Sequence, residues 1–297
     1  MKSNPLISIL LAVRNCEKFI PDTISSVIEQ TYKEWELIIV CNGCSDNTFD
    51  ISSKFALKHP NIKVYEIDQS GKNLAYNFAF KHSYGQYICF LAGDDCLTSR
   101  SLEERVKPLG HKLQYSTIRL KTFSKNHKYH NLVMPKRKNL PNYSGGSVFF
   151  SRYLAKKIFP IPRSLPNEDT WMSLFLRAFG ENVHINDELY LYRIHNDNSF
   201  GYSLSLSEKK KAYLDRMEAF IIFHDLFYNS NNIFIKSDVK NIANAVSVYK
   251  KDGFKKVLFS SKTPIKMKLI FAMYSSHILY NLRNVFFRLF SGIMNQL

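Results

Sequence analysis

The sequence predicts an α/β fold, in which a mostly parallel sheet with flanking helices is followed by a helical C-terminal extension. Two observations carry this prediction. Between residues 7 and 91, short apolar segments alternate with helical patterns, as in parallel strands joined by helices. After residue 205 the strand patterns stop, and long helical patterns rich in Lys follow. At 297 residues the chain is long enough for a full core and for more than one domain.

The first half contains four predicted strands. They are the apolar runs at residues 7–13, 35–41, 62–67 and 87–91. Helices are predicted between them, at residues 21–30, 48–57 and 74–82. Pro21 suits a first helical turn, and Asp46 is placed to cap the second helix. Because parallel strands share a direction, residues 12–15, 41–43 and 92–95 are expected to meet at one sheet edge, where nucleotides bind in such folds.

The middle of the chain contributes further elements. The apolar run 148–150 predicts a strand, and Ser151 is expected to cap a short helix ending near Ile158. A helix is predicted to open at residues 167–171 and to end near 176, and residues 182–193 have the pattern of a strand pair. Residues 121–138 hold six Lys or Arg and no acid, which indicates either a solvated loop or a mobile cover over an anionic ligand.

The C-terminal region is predicted to be helical and basic. Ser205 and Glu208 have the spacing of a capping box. Helices are predicted at 205–227, 237–250 and 264–290, and residues 251–297 hold eight Lys or Arg and one Asp. The last helix is predicted to be amphipathic, which suits either an anionic membrane interface or docking on another protein surface. Its apolar face is Phe271, Tyr274, Ile278, Leu282, Val285 and Leu289. We expect a domain at residues 1–204, with halves at 1–100 and 101–204, and an extension at 205–297.

Composition narrows the classes of partner and compartment. The net charge is +16 and aromatic residues reach 14%, which favours a polyanionic partner such as phosphorylated ligands, an anionic membrane or nucleic acid. No uncharged apolar segment is long enough to span a bilayer. The five cysteines lie in the first third, which fits a reducing cytoplasm better than a disulfide framework. Cys41 and Cys44 have redox-motif spacing, but no second pair or histidines complete a zinc site.

A pair of acids marks the expected site. Asp94 and Asp95 follow a buried strand at its carboxyl end, and hard carboxylate oxygens suit Mg²⁺ or Mn²⁺ shared with a substrate's phosphates. The alternative is a solvated turn, because Gly-Asp-Asp is also good turn chemistry. Asp169, in a first helical turn, could equally be a simple helix-terminal acid. The chain has neither a Gly-x-Gly-x-x-Gly motif nor a P-loop, so these phosphate-binding classes are not supported.

Six segments in order resemble the family-2 glycosyltransferases with the GT-A fold, a Rossmann-like architecture. The resemblance covers roughly residues 5–200 and depends on the combination, since each motif is weak alone. The segments are residues 7–15, 26–32, 36–48, the strand from Gly85 to Asp95, the pair Glu168-Asp169, and Tyr192-Arg193-Ile194-His195.

The resemblance implies an inverting transfer of a sugar from a nucleotide-sugar, with a divalent metal, Mn²⁺ or Mg²⁺. Asp95 would bind the metal, with His195 at the metal or diphosphate, and Asp169 would be the general base. The expected nucleotide-sugar contacts are Ala12, Arg14, Asn42, Lys72 and Asp94, and the expected acceptor-side residues are Glu168 and Trp171.

Four positions depart from the family pattern. Ala92 replaces the first aspartate of the metal motif, and Asn42 stands where the family has a base-reading aspartate. Arg14 replaces an aromatic residue, and Cys41 an acid. An aspartate only accepts hydrogen bonds, whereas an asparagine also donates, so Asn42 weakens an assignment of UDP as the donor nucleotide. We interpret these changes as an altered donor preference rather than lost activity.

The sequence hypothesis is therefore a glycosyltransferase that extends a surface glycan, such as lipopolysaccharide or capsule, on a lipid-linked acceptor. We expect it in the cytoplasm, peripheral on an anionic inner membrane face, without a nucleic-acid partner; its oligomeric state stays open. One alternative is a non-catalytic relative that acts as a membrane-surface adaptor. The other is a sugar-phosphate nucleotidyltransferase, which would need a Gly-rich basic loop after the first strand; residues 12–15 contain no glycine.

Overall fold

The computed structural model describes residues 4–195 and 205–282. The chain divides into two compact units, of which the first ends at His195 and the second begins at Asn196. The first unit is a β-sheet with flanking helices, and the described part of the second unit is helical.

The first unit is built on a mixed sheet. Its strands are β1 (Ile7–Val13), β2 (Trp35–Asn42), β3 (Ile62–Ile67), β4 (Tyr87–Ala92), β5 (Cys96–Leu97), β6 (Gln114–Ser124), β7 (Val133–Met134), β8 (Val148–Ser151) and β9 (Glu181–Ile194). Within the described residues the sheet order is β3-β2-β1-β4-β8-β6-β9-β5, with β7 paired to β6. β3, β2, β1 and β4 are mutually parallel, whereas β8 runs antiparallel to β4 and β6.

The central strands form the core of this unit because they are apolar and covered on both faces. Every residue of β2 is buried, as are six of the seven in β1, which is the usual burial of parallel strands between helices. The helices are α1 (Ile20–Ile28), α2 (Thr48–Ala56), α3 (Lys72–Lys81), α4 (Ser101–Val106), α5 (Arg152–Ile158) and α6 (Asp169–Phe179). The predicted α/β class is confirmed.

Two predicted helix caps are confirmed in this unit. The Asp46 carboxylate accepts the backbone N–H of Thr48 at 3.0 Å, and the Ser151 hydroxyl accepts that of Leu154 at 3.2 Å. Each side chain satisfies a donor that the helix leaves without an internal partner.

The prediction of a strand pair over residues 182–193 is wrong. β9 is one strand of 14 residues that runs beside β6 along its length. The polar stretch Asn186-Asp187 resembles a turn in sequence. In the structure β9 carries extra residues at this point, because its pairing advances from His184 to Tyr190 while β6 advances only from Thr117 to Leu120. A bulge of this kind bends a strand without ending it.

The second unit contains helices α7 (Leu206–Leu226), α8 (Lys240–Phe259) and α9 (Ile265–Ser275). Ser205 and Glu208 form the predicted capping box. A π-helical turn, Ile235–Val239, leads into α8, and Gly253 interrupts α8 with a φ of 79°, a conformation that favours glycine. Tyr249 of α8 stacks on Phe271 of α9, with ring centroids 4.1 Å apart.

The prediction of one amphipathic helix over residues 264–290 is wrong. α9 ends at Ser275 because Ser276 adopts an extended backbone, and its hydroxyl accepts the N–H of Leu279 at 3.4 Å. Such local side-chain bonds compete with helix continuation. Of the predicted apolar face, Phe271 is buried whereas Ile278 and Leu282 are exposed. Val285 and Leu289 lie outside the described residues. Over the ranges 4–195 and 205–282, no helix is both long and apolar enough to cross a bilayer.

Candidate functional site

The carboxyl ends of β1, β2 and β4 meet at one edge of the sheet, as predicted. Ala12 of β1 pairs with Val40 on one side and Ala92 on the other. The chain segments that leave these strands therefore lie next to each other. This edge collects Arg14, Asn42 and Asp94 from three distant parts of the sequence.

The turns after β1 and β2 are locked together by side-chain hydrogen bonds. Asn15 exchanges hydrogen bonds with Ser45, at 3.1 Å through its amide nitrogen and 2.8 Å to the backbone N–H. The N–H of Glu17 donates to the Asp46 carboxylate at 3.0 Å. These contacts fix the two turns relative to each other, and a preformed edge leaves less entropy for a ligand to remove.

Asn42 is buried and binds two backbone groups. Its side-chain nitrogen donates to the carbonyl of Val13 at 2.7 Å, and its oxygen accepts the N–H of Gly71 at 3.1 Å. One partner is an acceptor and the other is a donor, so the amide satisfies both, whereas a carboxylate could not. The residue predicted to read the base therefore joins β1 to the loop before α3.

Arg14 and Lys72 lie on either side of that loop. Arg14 is exposed and donates to the Ser70 hydroxyl at 3.0 Å. Lys72, at the start of α3, forms an ion pair of 2.9 Å with Glu168. A cleft of about 280 Å³ opens here, lined by Ser70, Lys72 and Arg163 among others. The predicted donor-side cations are thus grouped at the helix N-terminus, which also favours anions.

Asp94 and His195 form a pair at the same edge. The imidazole Nε2 lies 3.1 Å from the Asp94 carboxylate, and both side chains are partly exposed. Phe19 packs against the His195 ring, with centroids 4.5 Å apart. The two residues are 101 positions apart in the chain, and their contact brings the ends of β4 and β9 together.

Asp95 has a different environment. It is 3% exposed, and its two oxygens accept the Tyr190 hydroxyl and the Arg193 N–H, each at 2.8 Å. Burial and the neighbouring Asp94 raise the pKa of Asp95 well above its usual range, against these hydrogen bonds. Through these two hydrogen bonds Asp95 fixes the turn against β9. The expectation that Asp95 binds the metal stays a prediction.

Arg193 is a hub that the sequence motif contained but that was not assigned a role. Its guanidinium donates to the Asp94 carbonyl at 2.7 Å and pairs with Asp22 at 3.0 Å. It lies between the rings of Phe19 and Phe123, at 4.9 and 4.4 Å. These contacts hold the acidic turn in place from β9.

Asp169 and Glu168 stand side by side at the start of α6. One Asp169 oxygen accepts the N–H of Gly145 at 2.6 Å. One Glu168 oxygen pairs with Lys72, and the other is buried without a hydrogen-bond partner in the described residues. Trp171, expected on the acceptor side, is instead a core residue, because its indole is buried and donates to the Ile158 carbonyl at 2.8 Å.

Two consecutive glycines, Gly145 and Gly146, lie between the Glu168-Asp169 pair and the turn that carries Asp95. The sequence analysis assigned no role to them. A Cβ on Gly145 would lie 2.6 Å from the Glu168 carboxylate and 3.2 Å from that of Asp169. A Cβ on Gly146 would lie 2.2 Å from the Tyr190 ring, whose hydroxyl donates to Asp95. The turn Ser144-Gly145-Gly146-Ser147 therefore contacts the Glu168-Asp169 pair directly. It reaches Asp95 through the Tyr190 ring. The signal available in the sequence was the glycine pair itself.

The described residues contain no group of three or more His, Cys, Asp or Glu that could hold a metal. Asp94 and His195 nevertheless offer a carboxylate oxygen and an imidazole nitrogen side by side. Mg²⁺ and Mn²⁺ sites commonly take one or two protein ligands and complete their shell with substrate phosphates and water. The pair fits a divalent metal that arrives with a diphosphate.

Comparisons with known proteins point to one family. A family model described as glycosyl transferase family 2 matches residues 8–179. TuaG of Bacillus subtilis, provisionally named a teichuronic acid biosynthesis glycosyltransferase, is 33% identical over 104 residues, which cover 35% of this chain and 41% of the relative. In two further curated relatives the aligned part is 43% and 28% of their length. The chain thus matches less than half of each of these relatives.

Solved structures share the fold at low sequence identity. The crystal structure of S. aureus TarS 1-349 in complex with UDP-GlcNAc has a TM-score of 0.60 and 17% identity, covering 98% of this chain and 89% of that chain. The mannosyltransferase PcManGT from Pyrobaculum calidifontis, in complex with GDP-Man and Mn²⁺, has a TM-score of 0.62 and 12% identity. It covers 99% of this chain and 86% of its own. These likenesses establish the GT-A-like fold.

Proposed function

We propose that this chain, which belongs to glycosyl transferase family 2, transfers a sugar from a nucleotide-diphospho-sugar to a hydroxyl of a growing surface glycan. The observation that carries the proposal is the glycine turn at Gly145 and Gly146. It contacts Asp169 on one side and, through Tyr190, the Asp94-Asp95 turn on the other. A general base and a donor-binding edge are thus held on one short segment.

The donor nucleotide would bind at the edge formed by β1, β2 and β4. Arg14 and Lys72 supply cations for the diphosphate, and the Arg14 guanidinium can stack on a base. Asn42 would shape this pocket through Val13 and Gly71 rather than read the base, since its hydrogen bonds go to those two backbone groups. Ala12, beside Ala92, would form part of the floor of the pocket.

The residues that would hold a divalent metal, Mn²⁺ or Mg²⁺, are Asp94 and His195. When bound together with the diphosphate, the metal supplies charge stabilisation to the leaving nucleotide. The sequence-based assignment of Asp95 stays a prediction beside this one, since Asp95 is buried and its two oxygens accept the Tyr190 hydroxyl and the Arg193 N–H. PcManGT, which shares the fold, carries Mn²⁺ in its complex.

Asp169 is proposed as the general base. Gly145 holds one of its oxygens, and the carboxylate would take the proton from the acceptor hydroxyl. The acceptor oxygen then bonds to the anomeric carbon as the bond from that carbon to the diphosphate oxygen breaks. A single displacement of this kind inverts the anomeric centre. Glu168, paired with Lys72, would face the acceptor side of the same centre.

The wider setting is also proposed. The name of TuaG assigns that relative to teichuronic acid biosynthesis, which supports a glycan polymer as the product here. We propose a hexosyl or N-acetylhexosaminyl donor, a lipid-linked acceptor, and peripheral attachment to the inner face of an anionic membrane. The exposed apolar and basic residues of the second unit support the last point.

The first test is thermal stabilisation by a panel of nucleoside diphosphates, with and without Mn²⁺. A ligand at 100 times its Kd should stabilise the fold by about 2.7 kcal/mol. We expect a metal-dependent shift with one base, which is lost in Asp94→Ala and kept in the matched control Asp50→Ala, an exposed acid of α2. The absence of a shift with every nucleotide would favour the non-catalytic adaptor.

The second test addresses the base. Asp169→Asn should keep the nucleotide-dependent shift and lower the transfer rate by about 10²–10⁴-fold, the usual contribution of a general base. Transfer at the normal rate by a folded Asp169→Asn variant would remove Asp169 from this role.

A further inference from the structure

The second half of the first unit contains a long stretch without acids. From Arg105 to Asn167 the sequence has 14 Lys or Arg and no Asp or Glu. We propose that its exposed part, residues 125–138 (the basic insertion), binds the acceptor, and that the acceptor is a polyanionic glycan carrying carboxylate or phosphate groups. This inference rests on the proposed function and deepens it by naming the class of acceptor.

The basic insertion is anchored through its backbone. The carbonyl of Tyr129 accepts the hydroxyl of Thr122 at 2.6 Å, and the same hydroxyl accepts the N–H of Leu132 at 2.9 Å. The Arg119 guanidinium donates to the Pro135 carbonyl at 3.3 Å, and the His184 ring contacts the Lys138 carbonyl. These bonds come from β6 and β9, so the insertion is held against the sheet as a shaped surface.

Four cationic side chains of the insertion are exposed to solvent. Lys125, Lys128, Arg137 and Lys138 are exposed and form no ion pair with any residue in the ranges 4–195 and 205–282. Glu188, an acid of the adjacent strand β9, is already paired with Arg119 at 3.0 Å. Several like charges held together without counter-charges create a positive potential that attracts anions.

The insertion begins next to the proposed reaction centre. Ser124 pairs in register with Ile194, and its hydroxyl donates to the Ile194 carbonyl at 2.9 Å. Lys125 follows Ser124 in the chain, and His195, the partner of Asp94, follows Ile194. The first lysine of the insertion is therefore one residue from the strand position that precedes His195. Phe123 also packs on Arg193 at 4.4 Å. In the sheet order β6 and β9 lie beyond β4 from β1 and β2, so a polymer bound along the insertion would reach the site from the β6–β9 side.

The surface suits a glycan better than a membrane or a nucleic acid. Residues 125–138 contain no exposed large apolar side chain, which membrane insertion would need. The aromatic ring in the insertion, Tyr129, is partly buried and is covered by Lys128 at 5.4 Å, so it is a poor platform for base stacking.

The experiment measures binding of fluorescent probes to the full chain at increasing salt. The probes are hyaluronate for carboxylates, poly(glycerol phosphate) for phosphates, neutral dextran, a single-stranded RNA, and vesicles containing phosphatidylglycerol. The test variant is Lys125→Gln/Lys128→Gln/Lys138→Gln. The matched control is Lys54→Gln/Lys58→Gln/Lys81→Gln, which removes three exposed lysines from the first half of the chain.

We expect at least one polyanionic glycan to bind, dextran not to bind, and the test variant to bind at least tenfold more weakly while the control stays within twofold. Which probe binds separates carboxylate from phosphate recognition. Failure of both polyanions to bind, equal losses in the two variants, or tighter binding of RNA or vesicles through the same lysines would overturn the proposal. Both variants should keep the nucleotide-dependent thermal shift; its absence in the wild type would contradict the proposed function instead.

Discussion

At the scale of single residues, Asn42 shows how one substitution changes what a position does. An aspartate at this place would present two acceptors to the Val13 carbonyl, which is itself an acceptor 2.7 Å away. The asparagine instead donates to Val13 and accepts from Gly71, so it becomes part of the backbone framework of the site. The departure from the family pattern is therefore accommodated by the local hydrogen bonds and is not a sign of a collapsed site.

This leads to a prediction for Asn42→Asp. The carboxylate leaves the Val13 carbonyl without its donor, and an unsatisfied buried group costs about 1–3 kcal/mol. We expect the free energy of unfolding to fall by that amount, as measured by urea denaturation. Asn139→Asp is the control, because Asn139 is exposed. Equal stability of Asn42→Asp and the wild type would mean that the amide bridge contributes nothing.

A second prediction concerns Gly146. A methyl group here would lie 2.2 Å from the Tyr190 ring, so the ring must move and its hydroxyl would leave Asp95. We expect Gly146→Ala to lose about 1–3 kcal/mol of stability, the usual cost of overpacking, together with the metal-dependent nucleotide shift. In the control Gly110→Ala, the new methyl group meets only the Gln114 side chain at 3.7 Å.

Tyr190→Phe separates the packing of the ring against Gly146 from the hydrogen bond that positions Asp95. It keeps the ring and removes the hydroxyl that donates to Asp95. We expect most of the stability to remain and the nucleotide shift to weaken. A full nucleotide shift in both Gly146→Ala and Tyr190→Phe would mean that the glycine turn does not align the acidic turn.

At the scale of elements, Glu36 connects β2 to β1 and to the turn before β4. Its carboxylate accepts the Ser8 hydroxyl at 2.7 Å and the Gly85 N–H at 3.1 Å, and it also accepts the Tyr84 N–H. Lys63 of β3 donates to its other oxygen at 3.2 Å. This buried acid of β2 thus links β2 to β1, to β3 and to the turn before β4. Burial alone would raise the pKa of Glu36, but these hydrogen bonds outweigh it and lower the pKa.

The lowered pKa of Glu36 predicts how the stability of the protein depends on pH. Because the folded state binds the Glu36 proton more weakly than the unfolded state, its stabilisation is complete above the unfolded pKa of about 4.3 and is lost as pH falls below it. Glu36→Gln should reduce the free energy of unfolding by about 2 kcal/mol at pH 7. The difference from the wild type should shrink towards pH 3.

Denaturation curves at several pH values check this prediction. Glu29→Gln, an exposed acid at the end of α1, should stay within about 0.5 kcal/mol of the wild type throughout. A difference between Glu36→Gln and the wild type that grows on acidification would contradict the sign of the shift.

At the scale of the whole molecule, the sequence predicted what depends on local pattern. The alternation of strands and helices, the caps at Asp46 and Ser151, and the meeting of the acidic turn with the β1 and β2 ends all follow from periodicity and sheet topology. The sequence could not predict contacts between segments that are far apart in the chain. The burial of Asp95 depends on Tyr190 and Arg193, 95 and 98 positions away, and β9 is one strand only because β6 lies beside it.

The last prediction concerns the second unit, where the sequence did not predict which apolar residues of α9 are buried. α9 is apolar on both faces, because Met267 and Phe271 are buried while Ile265 and Leu269 are exposed. Phe259, which is 84% exposed, lies near them in the chain. A helix whose second apolar face is exposed favours a second partner for that face. The segment 253–275 contains five Lys and no acid, so we expect that partner to be anionic as well as apolar.

We therefore expect the full chain to bind vesicles containing phosphatidylglycerol and not vesicles of phosphatidylcholine alone. Phe259→Ser/Ile265→Ser should weaken binding at least tenfold, since burying one such side chain contributes about 1.5–3 kcal/mol and 1.4 kcal/mol is tenfold. The matched control is Ile233→Ser, because Ile233 is 82% exposed but stands beside both Lys236 and Asp238. Sedimentation with vesicles measures all three proteins. Equal losses in the two variants would indicate nonspecific apolar contact, and unchanged binding in both would exclude this segment as the attachment surface. Loss confined to Phe259→Ser/Ile265→Ser, and abolished by high salt in the wild type, is the result that apolar insertion supported by lysines requires.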